Sequence, residues 1–399
     1  MSEPGPSGDS SAHRTTSGRR PTLAQVSLII LVGALFWLRW GGIRRGIWID
    51  LDVYLRGAVA VMRSEPLYGV SVQGQPFTYP PFAALLFIPL QLVGAAGARW
   101  VLTVASMGCY ALVIFVCARR LHASPAVAGA VALVGLTFEP IARNLLLGQI
   151  NLVLATLVVV DCLVVPKRYR GTLVGLAAGV KLVPGAFVLF FILKRERGAV
   201  LRCVGSFAAT VGLGAVLAPR DSRQFWSGGF INLSRFGPDA AIRVDNQSLT
   251  GALMRLSGDQ SPAPIFLFLL SVGVMLLALV AAKRQIDVGD DVGGLVCIAF
   301  GSVLASPISW THHWVWAVLA MLVLVQSRRR LASWCLGAVF VIGPMWLAPR
   351  GHLLELRHSW WEATEGVSYV AVGLIYLISY STSPTSPRTA IRGSSASEE

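Results

Sequence analysis

The sequence predicts an all-α, polytopic membrane protein of about ten to twelve crossings, and three observations lead there. Hydrophobic residues make up 54% of the 399 and charged residues only 14%, where a soluble domain carries about 25% charged. That is too little charge to cover a water-facing surface. The apolar residues gather in blocks of roughly 18 to 22, enough to cross a hydrocarbon layer about 30 Å thick as helices, and backbone groups in lipid have to be satisfied within their own segment. Finally, the basic side chains, 34 against 20 acidic for a net charge of +14, lie mostly in short clusters between those blocks. Cytoplasmic loops facing anionic headgroups of membrane lipids have this pattern. It accounts for the excess without nucleic acid.

Taken in order, residues 1–20 are rich in Ser, Gly and Pro, with Arg14, Arg19 and Arg20, and read as a disordered cytoplasmic tail. The apolar block Leu23–Leu38 has no small-residue cleavage site behind it, so it reads as an uncleaved first span. Basic clusters at Arg119–Arg120, Lys167–Arg170, Lys194–Arg197, Lys283–Arg284 and Arg328–Arg330 mark the cytoplasmic side. Crossings are then expected near 22–40, 99–118, 125–143, 151–165, 199–218, 263–282, 291–307, 313–326, 330–347 and 366–380. The transmembrane domain spans 21–382, and 383–399 form a second disordered cytoplasmic tail.

Two apolar segments fit this scheme awkwardly. Residues 82–97 must return to the side they left if parity is to hold. Residues 171–193 have basic clusters at both ends and Gly179, Lys181, Pro184 and Gly185 between them. That composition predicts a helical hairpin or broken pair entering from the cytoplasm, of the kind tolerated where it lines a cavity. Arg44, Arg45, Arg56 and Arg63 in the first outer loop run against the charge rule, so either the loop binds something anionic or the first span is inverted. The six cysteines stand singly in or beside apolar blocks, with no metal spacing and no disulfide framework.

The outward segments are then 41–81, 139–151, 219–262, 306–313 and 348–365, and they hold most of the chemically capable side chains. Asp50 and Asp52 would diverge by about 200° on a helix. A partly desolvated carboxylate suits general-base work, whereas the structural reading makes the pair caps of a helix beginning near Val53. Pro76–Phe82 reads as a helix start with interfacial aromatics. Arg143 could hold a phosphate or pair with Glu139, and Gln149 and Asn151 could line a site or cap the next helix. Adjacent His312 and His313 should point to different sides, so they are not a chelating pair; each could donate a proton or hydrogen bond to a phosphate, or be a solvated boundary residue. Lys181 is an ionisable group at membrane depth, a functional candidate unless it snorkels. Asn232-Leu-Ser234 and Asn246-Gln-Ser248 match glycosylation acceptors, but Asn246 and Gln247 read better as uncharged partners for a hydroxyl-rich ligand.

The runs Asp50-Leu-Asp-Val-Tyr54, Pro66-Leu-Tyr-Gly69, Phe77-Thr-Tyr-Pro-Pro-Phe82, Gly148-Gln-Ile-Asn151, Gly175–Pro184, Asn246-Gln-Ser248 and Ser309-Trp-Thr-His-His-Trp314 occur in this order. Together they resemble glycosyltransferase family 87 over roughly residues 25–380. The resemblance implies a GT-C membrane fold and an actinobacterial, polyprenyl-phosphomannose-dependent α-mannosyltransferase. It places the active site on the extracytoplasmic face of the cell membrane. The acceptor it implies is a mannosylated lipid such as a phosphatidylinositol mannoside, lipomannan or lipoarabinomannan, extended through α-1,2 linkages. The family's catalytic carboxylate opens an Asp-x-x-Val-Tyr pattern, which matches Asp50 and leaves Asp52 at the variable position. A β-linked donor giving an α-linked product inverts, so one base takes the acceptor proton and cations meet the departing phosphate. Lys181, Arg143, His312 and His313 fit the phosphate. Tyr54, Tyr79, Gln149, Asn151, Asn246 and Gln247 fit sugar hydroxyls, and no cofactor or metal is required. The competing reading, a transporter or flippase of lipid-linked or anionic solutes, predicts broken helices in matching halves. Only 171–193 has that character.

Overall fold

The computed structural model describes residues 46–69, 71–230, 232–237, 239–258 and 262–382. The span expected near 22–40, Arg44, Arg45 and both tails lie outside the described residues. The described chain is helical except for loops and one small hairpin, Ser71–Val72 against Gln75–Pro76. Helices that shape the cavity or its support are labelled α1 (Ile49–Met62), α2 (Glu139–Leu147), α3 (Asn151–Leu163), α4 (Thr172–Val180), α5 (Arg197–Leu217), α6 (Pro264–Asp287) and α7 (Asp291–Ala305).

Among the described residues three helical stretches are long and apolar enough to cross a membrane: Pro81–Arg120, Arg197–Leu217 and Pro264–Asp287. They become five if the bent pairs Pro125–Gly135 with Glu139–Leu147, and Trp360–Gly366 with Ser368–Thr382, each form one span. Other apolar blocks fold as shorter helices, among them Asn151–Leu163, Asp291–Ala305 and Thr311–Gln326. Among the described residues the other expected crossings are thus shorter or bent helices. They differ in what surrounds them: α7 is apolar on every side and buried from Val292 to Leu304, as a helix enclosed by protein must be. α5 and α6 instead leave Leu201, Val204, Val216, Phe266, Phe268 and Leu276 exposed. Nor do residues 82–97 form a separate return. Pro80 and Pro81 start a short helix to Leu86, a 3₁₀ stretch follows at Ile88–Val93, and the helix Gly94–Arg120 continues from it.

Residues 171–193 do break. α4 ends at Lys181, whose backbone is extended (φ −148°, ψ 129°), and a 3₁₀ turn at Val183–Phe187 leads into a helix over Val188–Leu193. The two ends come back together, because Arg170 and Glu196 form an ion pair at 2.9 Å across the base. This is a hairpin with Lys181 near its apex. Asp161 on α3 anchors its start by accepting the backbone N–H groups of Gly171 and Val174 at 2.9 and 2.8 Å.

Gly171, Gly175 and Gly179 repeat every fourth residue along the side that meets α5, and a Cβ on them would overlap Ala199 O, Cys203 O and Thr210 Oγ1 respectively. Small residues at this spacing let two helices in a membrane approach backbone to backbone. Gly175→Leu should therefore displace the hairpin, at about 1–3 kcal/mol or more for overpacking. Gly205→Leu on α5, where a Cβ meets nothing within 4 Å, should be near neutral. Thermal unfolding of both variants in detergent checks this pair.

Candidate active site

α1 begins directly after Trp48, which is in a left-handed conformation (φ 51°) and makes no side-chain cap. Asp50 and Asp52 thus sit within the first turn instead of capping a helix at Val53, which corrects that structural reading. Leu51, Tyr54, Leu55 and Ala58 turn into a core shared with Ala177 and Val180 of the hairpin. Helical geometry then separates the two carboxylates. Asp50 faces a cavity of about 600 Å³, while Asp52 lies 3.7 Å from Arg99 and does not line it.

Four of the five segments assigned outward converge on this cavity. The first loop contributes Asp50 and Tyr79, the 139–151 turn Arg143 and Gln149, the 219–262 loop Arg235, Arg243 and Asp245, and the 306–313 turn His312 and His313. Lys181 arrives from the hairpin apex. One wall is apolar, built of Phe225, Phe230, Phe236, Leu182 and Val183. Gly148 lets the chain pass close to α1: its φ is +69°, and a Cβ there would stand 2.7 Å from Leu51 Cβ. The Gln149 side chain consequently lines the same cavity as Asp50 and favours its ionised form.

Burial raises the Asp50 carboxyl from its ordinary range to about 6, opposed by the Gln149 hydrogen bond and by the charges of Lys181 and Arg143. It remains ionised at neutral pH yet is a stronger base than an exposed aspartate.

Lys181 Nζ donates to Asn151 Oδ1 at 2.9 Å and lies 2.9 Å from His313 Nε2, with the Tyr79 ring centroid at 5.5 Å. A lysine ammonium only donates, so His313 Nε2 accepts and its proton sits on Nδ1. His313 Nδ1 and His312 Nε2 are both buried without a hydrogen-bond partner among the described residues. The histidines do not point to different sides. They sit on a 3₁₀ turn, Thr311–Trp316, with ring centroids 4.8 Å apart, and both reach the cavity. Asn151 is not a cap either: no side chain caps α3, and the Asn151 amide donates to His312 O at 2.9 Å.

Arg143 does not pair with Glu139. Glu139 is buried and accepts from Thr311 Oγ1, Trp346 Nε1 and Tyr369 OH at 2.9, 2.9 and 3.0 Å, tying the histidine turn to the helix Ser368–Thr382. Arg143 lies over Trp346 at 4.6 Å and 3.8 Å from Asp245, which Arg243 also grips through two bonds of 2.9 and 2.8 Å.

Asn246 and Gln247 are corrections of another kind. Both are fully buried and neither lines the cavity. Asn246 donates to Ala241 O and Pro307 O and accepts from Ser309 N. Gln247 donates to Val244 O and Gly366 O and accepts from Tyr369 N. Their amides are consumed in fastening loop 219–262 to its neighbours, and burial equally removes Asn246 as a glycosylation acceptor. Tyr54 is fully buried behind the cavity and does not line it. Arg235, Arg243 and Asp245 also line the cavity, with no motif to mark them. The available signal was the arginine content of an outward loop, the same departure from the charge rule noted at Arg56 and Arg63.

A family model described as glycosyltransferase family 87 matches residues 77–307. The chain is similar to the polyprenol-phosphate-mannose-dependent alpha-(1-2)-phosphatidylinositol mannoside mannosyltransferase of Mycobacterium tuberculosis, 37% identical over 367 residues and 83% of each chain. Its identity to the protein of the same description from Mycolicibacterium smegmatis is 33%, over 89% of this chain and 88% of that one. A third relative, the polyprenol-phosphate-mannose-dependent alpha-(1-2)-phosphatidylinositol pentamannoside mannosyltransferase of M. tuberculosis, is 32% identical over 92% of this chain and 89% of its own. No solved structure matches the chain.

Proposed function

The chain belongs to glycosyltransferase family 87, and from that premise we propose that it moves mannose from a polyprenyl phosphate to a phosphatidylinositol mannoside or related lipid-linked mannoside. The bond formed is α-1,2, made with inversion in the cavity around Asp50, on the outer face of the cytoplasmic membrane. One observation carries this reading: a carboxylate raised to about 6 shares its cavity with Lys181 and two histidine nitrogens that have no hydrogen-bond partner among the described residues.

Asp50 takes the proton from the acceptor hydroxyl as its oxygen attacks the anomeric carbon. The bond from that carbon to the phosphate oxygen breaks on the opposite face, and its electron pair leaves with the polyprenyl phosphate. Lys181, His313 Nδ1 and His312 Nε2 stand where that charge develops, in a water-poor setting where each contact counts for more. Asn151 holds Lys181 in place. Arg143 and Arg243, braced by Asp245, add positive charge along the same side. The apolar wall at Phe225, Phe230 and Phe236 suits the isoprenoid or acyl chains of the substrates. Convergence of the outward segments supports the extracytoplasmic placement.

Membranes containing the chain should convert labelled polyprenyl-phosphomannose and a phosphatidylinositol mannoside into a larger glycolipid, and should not use a nucleotide-linked mannose. Label moving across the bilayer with no new glycolipid would favour a transporter, and dependence on the nucleotide sugar would overturn the donor assignment.

A further inference from the structure

Three side chains beside Asp50 form a chain whose direction is set by chemistry alone. Gln149 Oε1 can only accept, so the Tyr54 hydroxyl 2.8 Å away donates to it. Tyr54 has then used its one proton and can only accept from the Tyr79 hydroxyl at 3.1 Å. With its carbonyl turned to Tyr54, the amide leaves its NH₂ for the cavity it shares with the Asp50 carboxylate, whose ionised form Gln149 favours and which can only accept. The second amide hydrogen points to Tyr79 OH at a long 3.5 Å. Every link in the set agrees with the next.

The parts are pinned as well. Gln149 exchanges two bonds with Asn144: its N–H donates to Asn144 O at 2.8 Å, and Asn144 Nδ2 donates to Gln149 O at 3.0 Å. The Tyr54 ring is stacked on Phe87, 4.4 Å between centroids and 1° between planes. Tyr68 OH fixes the far end by donating to Tyr79 O at 2.8 Å.

We propose that Tyr79, Tyr54 and Gln149 form a one-way hydrogen-bond chain that aims the Asp50 carboxylate at the acceptor hydroxyl. Tyr54 and Gln149 are then positioning residues and not sugar-binding ones. The proposal rests on the reading of Asp50 as the base. Without Tyr54 the amide is free to turn over and present its oxygen to the carboxylate, replacing an attraction by a repulsion. The other charged groups facing Asp50, Lys181 from the hairpin and Arg143 from α2, stay in place in such a variant, so a change in the base reports the chain.

The test is the pH profile of mannose transfer by Tyr54→Phe and Gln149→Leu, each normalised to folded protein measured by thermal unfolding. Tyr54→Phe should lower kcat about tenfold, leave the donor KM unchanged and move the acid limb up by about one pH unit, since loss of a hydrogen bond to the ionised form raises a carboxyl pKa. Gln149→Leu should do the same more strongly. Slower transfer with the acid limb unmoved in both variants would mean a merely structural role and overturn the proposal. Asp50→Asn separates the two levels. If it still transfers at the wild-type rate, the reading of the base fails; if it is inactive while the limb stays fixed in the other variants, only the chain fails.

Discussion

Asp50→Asn should reduce mannose transfer by about 10³-fold or more, near the upper part of what a positioned general base supplies, with little change in folded protein. Asp52→Asn should stay within about threefold of wild type, because a half-exposed ion pair such as its contact with Arg99 is worth only about 0–1 kcal/mol. The contrast follows from one turn of helix. Both carboxylates open α1, but only Asp50 reaches the cavity. The pH dependence has a fixed sign: the carboxyl must be ionised to accept a proton, so wild-type activity is present above about pH 6 and is lost as pH falls through that value. Steady-state rates across pH 5 to 8, on the order of one measurement per half unit, show whether the acid limb sits there.

Lys181→Met should cost about 10²–10³ in kcat, the range seen when one donor to a developing oxyanion is removed. The donor KM should rise as well, because in the proposed role the lysine would meet the phosphate before and after bond cleavage. The variant also leaves Asn151 Oδ1 and His313 Nε2 without their shared partner, at about 1–3 kcal/mol for each buried group left unpaired. Unfolding temperature and kinetics therefore have to be read together. Lys181→Arg should recover stability better than rate, since a planar fork cannot present the same point charge between the asparagine and the histidine. Kinetic analysis with the donor varied at saturating acceptor separates the two effects.

Much of this arrangement was legible in the residues themselves. Gly179, Lys181, Pro184 and Gly185 inside an apolar block announced a break, and basic clusters at both ends announced a return, so the hairpin and its lysine could be anticipated. Four of the segments that charge asymmetry groups on one side line a single cavity. Which apolar blocks face lipid was not legible, because an apolar block looks the same whether lipid or protein surrounds it; α7, enclosed on all sides, shows the difference. Nor could the destinations of buried polar groups be read. Asn246, Gln247 and Glu139 each satisfy partners more than 60 residues away in sequence. That both histidines reach one cavity depends on how their turn is docked, with Thr311 bonded to Glu139. Arg235 and Arg243 gained meaning only when their loop was seen folded over the cavity.

The anomeric configuration of the product tests the central claim most directly. A single base in Asp50, with cations gathered around the departing phosphate, requires one displacement. Nuclear magnetic resonance of the glycolipid made from β-linked polyprenyl-phosphomannose should therefore show the new mannose solely in the α configuration. A β-linked product would mean two displacements through a covalent intermediate, and would contradict the assignment of Asp50 as a base.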